Sequence, residues 1–418
     1  MRFSRRGLLT SGLAAALAPQ LARAGPSSLE RRFIFVLARG GWDTSMAFVS
    51  HDHVTGGDPP SDVTEASFGD LVFMDAESRP SVRAFFERYG DRTCLVNGVE
   101  VRSVAHLRCR QLVLTGSSGA GDDWPTQLAA FADTRYMLPN LVLSGPSYAL
   151  EHVSRVARVG ASNQLAELVD GSALTATASM PVASDAEDLV DAFVRERAAR
   201  FEEAARGTSE ARFGQLYEAA MADVQQIKLG DIPNFEAKDN GCARDLGHDL
   251  GLAMDAMEAD LCRCVMLQHE GVCGNSWDSH DNNDGQQSGH FEDLFALLIT
   301  AMEDLDGRTA SDGTPLRDLV TFVVYSEMGR HPTINIQNGR DHWTYTSALL
   351  IGAGIDGGRS IGGIDEYAIG EPVDLATGEI SDAGTSLLPE HLGSTLFTLG
   401  GLDGEALTGV SPLSAVLA

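Results

Sequence analysis

The chain has 418 residues, 43% of them hydrophobic, so it can bury a sizeable core as one large α/β domain or two smaller ones. Its 59 acidic residues against 31 basic ones give a formal charge of −28, which argues against nucleic acid or an anionic membrane surface as a partner. Lysine is confined to Lys228 and Lys238, so an anionic ligand would have to be met by arginine or by metal.

At the amino terminus, Ser4-Arg5-Arg6-Gly7-Leu8-Leu9-Thr10 resembles the twin-arginine export motif. The apolar stretch from Leu13 to Leu17 follows, and Ala22-Arg23-Ala24 offers a small-residue cleavage site. The order predicts a leader over residues 1–24 that is handed to the twin-arginine translocase, with a periplasmic or secreted mature domain over 25–418. The bland alternative is a frayed basic start. Without the leader's four arginines the net charge is −32, from 27 basic and 59 acidic residues. No later stretch approaches the roughly 18 apolar residues of a membrane helix, so no stable membrane anchor is expected. The six cysteines, Cys94, Cys109, Cys242, Cys262, Cys264 and Cys273, permit disulfides in that compartment. On a strand Cys262 and Cys264 would point to one face.

Apolar runs over residues 33–38, 262–267 and 319–325 read as strands buried on both faces as in a parallel sheet, and 94–96, 138–143 and 347–351 read as further strands. A polar loop is expected over 51–68. A helix capped near Ser78 follows, with Pro80 in its first turn and Val82, Phe85 and Phe86 inward. A helical run ends at Thr115-Gly116. The acidic stretch 185–231 has helical period and i,i+4 charge pairs, predicting two solvated helices that form a cap or insertion. Residues 244–261 and 291–305 read as further helices, and the Gly-rich last third ends in a short helix near Leu392.

Polar residues follow several of these strands, where ligands bind in such sheets. Asp278 and His280, two apart in Trp277-Asp278-Ser279-His280, project to one side if extended, and carboxylate with imidazole suits zinc, manganese or iron. His342, in Gly339-Arg340-Asp341-His342, can supply a second imidazole or sit in an ordinary turn. Glu327 follows a strand buried on both faces and needs a metal or a partner such as Arg330. Asp43 after Gly40-Gly41-Trp42 carries the same two readings, with Arg39 as its mate. Ser103 and His106 stand at a strand-to-helix junction, either as a metal-activated nucleophile with its histidine or as an ordinary helix cap. Ser78-Arg79-Pro80-Ser81 approaches the sulfatase signature, but Val82 occupies the place of its arginine, so a helix cap is the expected reading.

Taken in order, the motifs around Asp278-Ser279-His280, Ser326-Glu327-Met328-Gly329-Arg330 and Arg340-Asp341-His342 resemble those of bacterial family 1501, of unknown function. That family is similar in fold to the alkaline phosphatase and sulfatase superfamily. The resemblance implies an alkaline-phosphatase-like three-layer α/β/α sandwich with a mostly parallel central sheet, and one or two divalent ions at its carboxyl edge. It implies Asp43 and Glu327 on one metal and Asp278, His280 and His342 on the other. Arg330, and Arg340 beside it, would clamp ester oxygens. The implied activity is metal-dependent hydrolysis of phosphate or sulfate esters of small molecules or glycans. The alternative is a non-catalytic exported binding or assembly protein with a degenerate metal site: Glu327-Met328 stands where the superfamily has Asp-His, and His106 occupies the nucleophile's place.

Overall fold

The computed structural model describes residues 30–134, 136–159, 184–204, 235–239, 241, 244–272 and 275–418. The expected leader, most of the acidic insertion, Cys242 and Cys273 lie outside these residues.

The strands are β1 (Arg32–Ala38), β2 (Thr64–Phe68), β3 (Leu71–Asp75), β4 (Thr93–Glu100), β5 (Asn140–Val142), β6 (Val156–Arg158), β7 (Cys264–His269), β8 (Val320–Ser326), β9 (Gly329–Ile334), β10 (Arg340–Trp343), β11 (Tyr345–Gly352) and β12 (Arg359–Ile361). Eight of them form one sheet in the order β12-β4-β11-β8-β1-β7-β5-β6. Only β11 runs against its neighbours, so the sheet is mostly parallel.

Alternation along β1 shows why its run is apolar throughout. Ile34, Val36 and Ala38 enter one core and Phe33, Phe35 and Leu37 the other. The first core is covered by helices α1 (Pro80–Tyr89), α5 (Leu246–Glu258) and α6 (Asn283–Gly307). The second is covered by α2 (His106–Thr115), α3 (Trp124–Ala130) and α7 (Pro389–Leu399). The result is a three-layer α/β/α sandwich. Each fully buried Phe or Leu in these layers contributes about 1.5–3 kcal/mol. The remaining helices are α4 (Ser184–Ala204), which falls in the expected insertion, and the short α8 (Gly404–Thr408).

Several expectations change. The polar loop contains β2, which pairs with β3 as a hairpin. Helix α6 begins eight residues before Phe291, because its first two turns bury the polar side chains Asn283, Gln287 and His290, which carry no apolar period. Helix α1 starts after Arg79 without a side-chain cap, and Ser78 donates instead to Asp62 Oδ2 at 2.8 Å. Cys262 and Cys264 are free, and they occupy opposite cores because Cys262 precedes the strand. Among the described residues no helix is long and apolar enough to cross a membrane.

Candidate metal centre

Strands β1, β4, β7 and β8 end at the same sheet edge, and the reversed β11 begins there. The segments after those ends, and β10 before β11, therefore meet. Two glycines after β1 allow this closeness. Gly40 has φ +130°, and a Cβ on it would lie 2.6 Å from Asp278 N; Gly41 has φ +94° and a Cβ there would lie 2.8 Å from Met328 Cγ. Trp42 beneath them packs against Trp277 and Phe291. The β9–β10 turn is clipped to the Asp278 loop by Arg340 N donating to Ser279 O at 3.1 Å and Asn335 Nδ2 donating to His280 O at 3.0 Å. That clip carries His342 to Asp278.

Asp278 is the hub. His342 Nε2 lies 3.1 Å from its Oδ1, His280 Nε2 also 3.1 Å from Oδ1, and His106 Nε2 3.2 Å from Oδ2. His280 Nε2 and His342 Nε2 are 3.0 Å apart. Each ring is held from behind through Nδ1: His342 by Val104 O at 2.7 Å, His280 by Asp341 Oδ1 at 3.2 Å, and His106 by Glu327 Oε1 at 3.1 Å. Those three oxygens can only accept, so a neutral ring that donates to them from Nδ1 presents an Nε2 lone pair towards Asp278. In that tautomer three lone pairs face one carboxylate, and among the described residues the buried His106 Nε2 makes no well-directed hydrogen bond although Asp278 Oδ2 is 3.2 Å away. Bound protons or a cation must offset that concentration of acceptors.

The ligand atoms of His106, Asp278 and His342 lie within 4.8 Å of one another, close enough to share one ion. Without an ion, the Asp278 and Glu327 carboxylates push the His106 imidazole up to about 9 against the effect of burial. Burial would raise the Asp278 carboxyl, but His106, His342 and Arg330 outweigh it and hold it well below the usual range.

The other expected residues are placed differently. Asp43 is fully buried in its own network: Ser45 Oγ donates to Oδ1 at 2.6 Å, Asn283 Nδ2 donates to Oδ2 at 2.7 Å, and Arg340 Nε pairs with Oδ2 at 3.0 Å. Its mate is thus Arg340 and not Arg39, which reaches Glu270. Burial opposes ionisation of Asp43, yet Arg340, His51, Ser45 and Asn283 keep its carboxyl low. Glu327 stands behind His106 instead of pairing with Arg330. The Arg330 guanidinium is buried and committed to Gly40 O, Gly41 O, Trp277 O, Arg340 O and Asp278 Oδ1. Arg340 donates to Asp58 O, His331 O and Pro332 O. Neither arginine is free to clamp a ligand, because protein oxygens already take its donors. Ser103 accepts from Ala105 N at 3.3 Å in the turn before α2. Sequence reading missed Gln287, whose Nε2 donates to Trp277 O and Ser279 Oγ, both at 2.9 Å; a glutamine on a polar helical turn gave no signal.

Two buried histidines should make the fold acid-sensitive. Burial pulls both His51 and His290 down to about 4 from 6.5. Such a group takes up its proton more readily when unfolded, so stability is lost as pH falls from about 6.5 towards 4. The melting temperature should drop across that window, and His290→Gln should flatten part of the drop. An unchanged profile in the wild type would rule the account out.

Fold and site together define a mostly parallel α/β sandwich with a histidine–aspartate cluster at its carboxyl edge. The chain belongs to the family described as protein of unknown function (DUF1501), whose profile matches residues 30–377. A search of curated proteins returned no match. Among solved structures the chain is similar to the integral membrane protein lipooligosaccharide phosphoethanolamine transferase A (EptA) from Neisseria meningitidis, at 11% identity and TM-score 0.43. That match covers 98% of this chain and 64% of the transferase, so the chain spans less than two thirds of that protein. The C-terminal periplasmic domain of EcEptC from Escherichia coli matches at 10% identity and TM-score 0.40, covering 95% of this chain and 90% of that one. A protein in the alkaline phosphatase superfamily from Vibrio parahaemolyticus matches at 9% identity and TM-score 0.39, covering 100% and 80%.

Proposed function

We propose that this chain is an exported, metal-dependent hydrolase of phosphate or sulfate esters, taking a small-molecule or glycan substrate. The observation that carries the reading is the convergence of three Nδ1-anchored imidazoles on Asp278. His106, Asp278 and His342 would hold one divalent ion, with His280 adjoining, and a donor set rich in imidazole favours zinc or a similar borderline ion over calcium or magnesium. Such an ion supplies Lewis-acid polarisation of an ester oxygen. The chain's own part is orientation: Glu327, Asp341 and Val104 O fix the rings, and Arg330 ties Asp278 to the Gly40–Gly41 turn. Export rests on the Arg5-Arg6 leader and implies the twin-arginine translocase as a transient partner.

A second reading, a non-catalytic binding or assembly protein with one metal, is supported by the Asp43–Arg340 pair, which occupies a carboxylate that a second ion would need. The test is metal content per mole of exported protein, followed by turnover of phosphate and sulfate esters before and after chelation. One equivalent, with turnover lost on chelation and restored by metal, is expected. One equivalent without turnover would favour the second reading, and no metal would defeat both.

A further inference from the structure

Glu327 is a fully buried carboxylate that, among the described residues, forms no ion pair with an arginine. Its Oε1 and Oε2 both accept from Gly40 N, at 3.0 and 2.9 Å. Oε1 also lies 3.1 Å from His106 Nδ1. Gly40 in turn leaves no room for a side chain against Asp278 N, and its carbonyl accepts from Arg330. The carboxylate is therefore fixed to the same turn that fixes the hub of the cluster, and one rigid piece sets both His106 and Asp278.

We infer that Glu327 is a positioning residue: it selects the Nδ1–H tautomer of His106 and so aims the unprotonated Nε2 at Asp278 and the ion site. This rests on the metal reading above for its consequence, though not for the tautomer itself. A carboxylate accepts here at both oxygens, Oε1 from Gly40 N and His106 Nδ1 and Oε2 from Gly40 N with Ser326 Oγ at 3.5 Å. In Glu327→Gln the amide nitrogen must replace either Oε2, 2.9 Å from Gly40 N, or Oε1, which faces both Gly40 N and His106 Nδ1. The first placement sets N–H against Gly40 N–H, which pushes the amide off the turn that holds it although Oε1 still faces Nδ1. The second forces Nδ1 to accept, which moves the ring proton to Nε2, where it blocks ligation.

Long-range proton–nitrogen spectra of the metal-free protein test the tautomer, recorded where the spectra themselves show the His106 ring to be neutral. The His106 signals are identified by their loss in His106→Gln. A proton on Nδ1 is expected in the wild type. A proton on Nε2 would overturn the inference, and this wild-type measurement decides it even where the Glu327→Gln variant does not fold. In folded Glu327→Gln, zinc affinity measured by chelator competition should fall about 10–100-fold. A variant that merely melts earlier while its folded fraction keeps wild-type zinc affinity would show Glu327 to be structural only. Failure of the wild type to bind zinc would defeat the proposed function, while the tautomer spectrum would still stand or fall alone.

Discussion

Asp278→Asn should leave the chain folded and strip it of its metal. The carboxylate touches all three ring nitrogens, so no other single change removes as much of the cluster. An amide of the same shape keeps one oxygen for Arg330, whose remaining donors stay on Gly40, Gly41, Trp277 and Arg340 carbonyls. The fold therefore loses little. The site loses its negative charge, and with it the term that draws a divalent ion against three neutral imidazoles. Orienting partners alone are worth about 10–100-fold in metal affinity, so a direct ligand should cost at least two orders of magnitude. Chelator competition and ester turnover should fall together. Wild-type affinity in the variant would remove Asp278 from the site and leave its contacts to the three rings and Arg330 as hydrogen bonds that only hold the loop.

Arg340→Ala should act on stability. Arg340 and Asp43 are both fully buried, and the guanidinium also holds the carbonyls of Asp58, His331 and Pro332. Removing the arginine leaves a carboxylate with no access to water that has lost its direct cationic partner and keeps the hydrogen bonds from Ser45 and Asn283. Breaking a buried pair from one side costs about 3–5 kcal/mol. Urea unfolding should show a loss of that size. Asp43→Asn combined with Arg340→Met should recover most of it, because the uncompensated charge is then gone. A loss below about 1 kcal/mol in the single variant would contradict this account, which is set by the one-sided cost of a buried pair.

The main strands were legible because burial on both faces demands unbroken apolar runs, as in β1, β7 and β8. The hairpin β9–β10 and the edge strand β12 were not. Residues such as Arg330, Asp341 and Arg359 in them are polar, and their strand form depends on partners elsewhere. The start of α6 was hidden for the same reason. Asn283 and Gln287 are buried to serve Asp43 and the Asp278 loop and not to fill a core.

At the site, the residue types that stand at the carboxyl edge follow from the chain's motifs alone. Asp278, His280, His342 and His106 each follow or precede a recognisable element, and strand direction brings such ends together. Pairing was decided only by the tertiary structure. Arg330 was the near neighbour of Glu327 in the chain but reaches Asp278, while Glu327 reaches His106 and Asp43 takes Arg340. A buried charge is satisfied by whatever donor the packed backbone carries within about 3 Å. Spacing along the chain does not reveal that distance across a sheet edge.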